Sequence, residues 1–105
     1  MIAHNFIHSI HTHIDGYGVH AIYLDDCDSG DSVTGNVIYR IENDGLLIGG
    51  GRDNIIENNL FVDCTNALYA DNRGIDWIVD TPGSSWNLLE TLIHQGINRH
   101  AEPWA

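Results

Sequence analysis

Short runs of alternating apolar and polar residues recur along the chain, and three of them open on one motif. They are His4-Asn5-Phe6-Ile7-His8-Ser9-Ile10, Gly35-Asn36-Val37-Ile38-Tyr39-Arg40-Ile41 and Asn58-Asn59-Leu60-Phe61-Val62-Asp63-Cys64. Alternation over runs of this length is a strand signal. It puts Phe6, Ile38 and Phe61 on one face. The asparagines at 5, 36 and 59 stand 31 and then 23 positions apart. A repeat of about 20 to 50 residues signals a solenoid or a propeller. The 23-residue step suits one coil of three short strands with their turns. The 31-residue step is such a coil plus an insertion, placed at His11 to Tyr17.

Each repeat carries further runs in the same order. Ala21-Ile22-Tyr23-Leu24, Leu46-Leu47-Ile48 and Ala67-Leu68-Tyr69-Ala70 follow the asparagine motif. Ser32-Val33-Thr34 and Asn54-Ile55-Ile56-Glu57 precede the next one. Gly, Asn and Asp bound these runs, as expected of turns. The recurring Asn has a scaffold role: it tolerates left-handed backbone, and its amide can bond the neighbouring repeat and stack into a ladder. The regular leucines of a leucine-rich repeat are missing. A propeller would need longer blades and antiparallel hairpins. The pattern therefore predicts an all-β chain, a parallel β-helix of about three coils.

The repeat stops after Trp77. Residues 1–77 read as the coils, and 78–105 as a loop, a short helix and a tail. Ser84 or Ser85 can cap a helix over Trp86 to Gln95, and Gly96 is a natural stop. About three coils without evident polar caps predict a fragment of a larger protein, because a solenoid's ends must be covered.

Charge narrows the partners. Fifteen acids oppose four arginines, and the net charge is −11. Such a chain repels phosphate backbones and anionic membranes, which argues against nucleic acid and membrane partners. Neutral sugars and cations fit better. No stretch is apolar enough to span a bilayer, and the opening Met1-Ile2-Ala3-His4-Asn5 lacks the features of a secretory signal. Cys27 and Cys64 have no CxxC spacing, so a cysteine zinc site is not expected, and buried thiols are favoured over a disulfide. Gly49-Gly50-Gly51 lacks the context of a phosphate loop, which excludes nucleotide binding.

Three motifs carry a resemblance. Ala21-Ile22-Tyr23-Leu24-Asp25-Asp26, Gly49-Gly50-Gly51-Arg52-Asp53-Asn54-Ile55-Ile56-Glu57-Asn58-Asn59 and Asp71-Asn72-Arg73-Gly74-Ile75-Asp76-Trp77 resemble right-handed parallel β-helix proteins of the pectate-lyase-like superfamily. Within it they are similar to glycoside hydrolases of the α-L-fucosidase and xylanase type. The likeness runs from about Asn5 to Trp77, and the Glu102-Pro103-Trp104 tail shares it. It implies a right-handed coil, a longer secreted or periplasmic bacterial parent supplying the remaining coils, and a polysaccharide or oligosaccharide partner of plant cell-wall type. Cys27 departs from the pattern, standing where glycine is usual.

The site expectation comes from stacking. Equivalent positions in a parallel stack lie about 4.8 Å apart per strand. Asp25-Asp26, Gly49-Gly50-Gly51 and Asp71 each follow the corresponding run, so they should form one column. Carboxylates on either side of a glycine notch suit glycoside hydrolysis, one as acid and one as base or nucleophile. Asp25, Asp26 and Asp71 are the candidate catalytic residues. Turn capping by the aspartates is the plainer reading, and calcium binding a third. Arg52 and Arg73 border the notch as substrate contacts, or as ion-pair partners of nearby aspartates. His20, just before the Tyr23 run, is the first choice of substrate contact. Tyr23 shares the face of Asp25, and Tyr17 in the inserted loop can stack on a sugar. His4, His8, His11 and His13 read as surface groups ahead of metal ligands, and no metal or other cofactor is required. Two rivals remain: a calcium-dependent polysaccharide lyase with an arginine base, and a non-catalytic carbohydrate-binding or structural protein.

Overall fold

The structure, a computed structural model, describes residues 1–71. Seven strands follow in order: β1 Ile2–Ala3, β2 Phe6–Ile10, β3 His20–Leu24, β4 Ser32–Thr34, β5 Val37–Gly49, β6 Ile55–Glu57 and β7 Leu60–Asp71. One sheet runs β1-β4-β6. In the other, β5 is central: β2 and β3 pair with successive parts of it, and β7 pairs along its whole length. Every pair is parallel.

This corrects the expected fold. The described residues show a small all-β domain of two parallel sheets, not the predicted right-handed β-helix of about three coils. The separate short strands expected within each repeat are joined. Val37–Ile41 and Leu46–Ile48 lie in one strand of 13 residues, and 60–64 and 67–70 in one of 12. The register shifts between Ile41 and Asp44. Such an irregularity bends a strand without ending it, so no turn separates the two halves. The helix expected over Trp86 to Gln95 and the boundary at residue 77 lie outside the described residues.

The asparagine repeat has a definite structural job. Asn5 Nδ2 donates to Asn36 Oδ1 at 2.9 Å, and Asn36 Nδ2 donates to Asn59 Oδ1 at 2.9 Å. The same oxygens accept backbone N–H groups: Asn36 Oδ1 takes that of Asn5 at 3.0 Å, and Asn59 Oδ1 that of Asn36 at 2.9 Å. Asn36 is only 1% exposed, and its amide also donates to the carbonyls of Ile2 and Thr34. The left-handed residue at this corner is the one before each asparagine: His4, Gly35 and Asn58, with φ of 57°, 66° and 55°. The asparagines themselves are not left-handed.

A second left-handed row explains the core. Ser9, Arg40 and Asp63 have φ of 59°, 56° and 55° inside or beside otherwise extended runs. Each resets the alternation, so the inward positions fall three apart rather than two. Ile38 and Ile41 are both buried, and Ile7, Ile10, Phe61 and Cys64 pack against them. Register sets Ile7, Ile38 and Phe61 in one row and Ile10, Ile41 and Cys64 in the next. Phe6 therefore does not share a face with Ile38. It pairs with Val37, which pairs with Leu60, and these three are 63%, 37% and 55% exposed. From the other sheet Val33, flanked by Ile2 and Ile56, closes the core against Ile22, Leu24 and Leu46. At Gly45 an added Cβ would stand 2.5 Å from the Phe61 ring and 2.8 Å from the Ala67 carbonyl oxygen, so only glycine lets β7 close on β5 here.

Asn36 is the middle of the column and joins three strand corners. Asn36→Ala leaves buried donors and acceptors without partners, which costs about 2–3 kcal/mol of unfolding free energy. Asn5→Ala at the exposed end costs under about 1 kcal/mol. Urea denaturation of the two variants checks the difference.

Candidate functional site

The end of β3 fixes the first carboxylate. Leu24 pairs with Ile48, and Ile48 with Ala70. One residue further, Gly49 pairs with Asp71, and Asp25 continues the same row. Asp25 and Asp71 thus lie two strands apart, about 9–10 Å along the row, with Gly49 between them. Asp25 is exposed and Asp71 half-buried. One oxygen of Asp25 accepts the Asp26 N–H at 2.8 Å, so this carboxylate caps its own turn.

That turn is left-handed at two successive residues, Asp26 and Cys27, with φ of 45° and 64°. Neither is glycine, and such backbone is uncommon for residues carrying a side chain. The Cys27 N–H donates to the Gly49 carbonyl at 2.8 Å and the Asp28 N–H to the Asp25 carbonyl at 2.9 Å. Asp26 is half-buried in this turn. The next turn lies directly on it: an added Cβ on Gly51, where φ is 82°, would overlap the Asp28 carbonyl.

Two residues before the carboxylate row lies an aromatic one. Tyr23 pairs with Leu47, and Leu47 with Tyr69. Spacing by two keeps these side chains on the face of Asp25, Gly49 and Asp71. Tyr23 and Tyr69 are 41% and 48% exposed, and Leu47 between them is 8% exposed. Tyr69 was not among the expected site residues. The signal was present: it stands two before Asp71, as Tyr23 stands two before Asp25.

His20 sits elsewhere than expected. It pairs with Asp44, and Asp44 with Asn66. His20 Nδ1 is 2.8 Å from Asp44 Oδ2, close enough for an ion pair but out of line for a hydrogen bond. Asn66 Nδ2 donates to Asp44 Oδ1 at 2.8 Å. Asp44 is buried and His20 half-buried. The His20 ring meets the Tyr23 ring edge-on at 5.1 Å, so it supports that tyrosine from the side.

The remaining expected contacts are scattered. Arg52 is exposed on the turn after Gly51, its Nε 3.5 Å from Asp53 Oδ2. Tyr17 projects from the loop between β2 and β3 and is 71% exposed. Arg73 lies outside the described residues. The rings of His11 and His13 stand edge-on at 5.1 Å. Among the described residues no group of three or more His, Cys, Asp or Glu is placed to hold a metal ion. Cys27 and Cys64 are not joined to each other.

The turn beyond Cys27 holds a carboxyl pair, Asp28 and Asp31. The hydrogen bond between their side chains, then desolvation, then the Asp31 charge raise the Asp28 pKa above its ordinary 3.8; the Ser29 N–H and the amino terminus oppose this.

No protein-family model matches the chain, and neither the curated proteins nor the solved structures include a match.

The Asp28 pair carries a pH dependence. A raised folded-state pKa means the folded chain holds this proton more tightly than the unfolded one. The stabilisation is full below pH 3.8 and is lost as pH rises through the raised value. Asp28→Asn removes that downward slope, which melting temperatures across the acidic range will show. An unchanged slope in the variant would refute the assignment.

Proposed function

We propose that the outer face of β3, β5 and β7 binds a polysaccharide chain. The observation that carries this reading is the tyrosine row beside the carboxylate row. Tyr23 and Tyr69 offer two exposed rings on one rigid sheet, held apart by Leu47. Aromatic rings stack on the apolar faces of sugar rings while their hydroxyls stay available for hydrogen bonds. Asp25 and Asp71 supply acceptors for sugar hydroxyls along the same face. Gly49, which is buried, adds no side chain between them. The net charge of −11 favours neutral or cationic glycans over acidic ones.

Hydrolysis is the second reading, favoured by the Asp25–Gly49–Asp71 row. A separation of about 9–10 Å along the row, shortened by side-chain reach, falls near the window in which an inverting pair holds a water. Asp71 would protonate the leaving oxygen and Asp25 activate the water, with Asp25 keeping one oxygen on the Asp26 N–H. Asp26 serves the turn.

Tyr23→Ala and Tyr69→Ala each weaken binding to a neutral cell-wall polysaccharide about fivefold, and Tyr→Phe at either position retains it. Affinity electrophoresis on a panel of such polysaccharides measures this. Binding that is equal in wild type and both alanine variants would contradict the proposal. If the carboxyl pair is catalytic, Asp71→Asn lowers the release of reducing sugar at least about 100-fold, a loss far larger than its effect on binding.

A further inference from the structure

The loop between β2 and β3 interrupts the sheet and is fixed at both ends by the bend in β5. The Thr12 N–H donates to Glu42 Oε2 at 2.7 Å, and the Val19 N–H to Asn43 Oδ1 at 2.9 Å. Between these anchors the loop and the bend enclose an open pocket of about 410 Å³. That volume lies in the range of small-ligand sites. Its lining includes His13, Asp15, Tyr17, Glu42 and Asn43, and no arginine.

We propose that this pocket is a second subsite that takes a protonated amine carried on a sugar ring. The inference rests on the reading of the sheet face as glycan-binding. Two carboxylates on one small pocket, with no cation among the lining residues, attract a positive ligand group. The exposed Tyr17 ring adds a face on which an ammonium is favoured. An ammonium offers three donors and no acceptor, which matches carboxylate and amide oxygens. An N-acetylated sugar of similar shape has no charge to offer. The pocket also adjoins the aromatic row. Gly18 lines it, an added Cβ on Gly18 would stand 3.3 Å from His20 Cε1, and the His20 ring meets Tyr23. The pocket therefore lies on the His20 side of Tyr23, with His20 between them.

The test is calorimetric titration of the 105-residue chain with a glucosamine oligomer and its fully N-acetylated counterpart, at a pH where the amine is charged. Wild type should bind the amine form about fivefold tighter, as expected of one exposed ion pair. Asp15→Asn should reduce that preference and leave the acetylated oligomer unaffected, and Tyr17→Ala should reduce the preference as well. Both positions are exposed, so the fold tolerates the changes. Added salt should narrow the preference. Equal binding of the two oligomers by wild type, while both bind, overturns the pocket and leaves the sheet face standing. A preference that survives both substitutions overturns the pocket assignment. Binding of neither oligomer nor any neutral glycan overturns both readings. A lysine-rich peptide that binds more tightly than the amine oligomer overturns the choice of a sugar.

Discussion

The described structure depends on a stack of side-chain amides at one corner. Parallel strands cannot be joined by tight hairpins, so each return of the chain must leave the sheet, turn and re-enter in register. Here Asn5, Asn36 and Asn59 make that re-entry specific. Each pair exchanges both a side-chain and a backbone donor through one oxygen. A shift of register by one would break all of these bonds and turn every core residue outward. The residue before each asparagine takes the left-handed conformation that aims the amide inward. Amide side chains serve the other turns similarly: Asn43 holds the β2–β3 loop, and Asn54 accepts the Asp31 N–H.

From that corner the layout follows as far as the bend in β5. Once Asn36 and Asn59 are level, β5 and β7 are level from Val37 and Leu60 to Ile41 and Cys64; beyond the bend the register slips by one residue. The core rows of Ile38 with Phe61 and Ile41 with Cys64 then meet; the outer rows of Leu47 with Tyr69 and Gly49 with Asp71 lie past the bend. The tyrosines and carboxylates are placed by the register beyond the bend, which differs by one residue from the one that places Ile38 against Phe61. The loop pocket is different in kind. It exists because β2 and β3 are separated by residues that form no strand, anchored to the bend where β5 shifts register.

The asparagine rows and the strand content could be read from the sequence pattern; the pairing of Gly49 with Asp71 depends on a one-residue register slip that the 23-residue spacing does not announce. The face of Phe6 could not. Left-handed residues at Ser9, Arg40 and Asp63 reset the alternation, and none of the three is a glycine that would announce it. The merging of short strands into β5 was hidden for the opposite reason: Asn43-Asp44-Gly45 reads as a turn, yet it lies inside the strand at the bend. Hence the all-β character was legible and the coil architecture drawn from it was not what the described residues show. His20 was expected to be a substrate contact; its neighbour Asp44, and Asn66 bonded to Asp44, lie at the bend between runs that were read as separate strands. Tyr69 was legible by its offset from Asp71.

The central claim is that the asparagine column holds the register of the strands. Hydrogen exchange of the side-chain amides, followed by NMR, tests it most directly. The account predicts strong protection of the Asn36 Nδ2 protons, intermediate protection for Asn59, and rapid exchange for Asn5 at the exposed end. Asn36 amide protons that exchange as fast as those of Asn5 in the folded chain would contradict it.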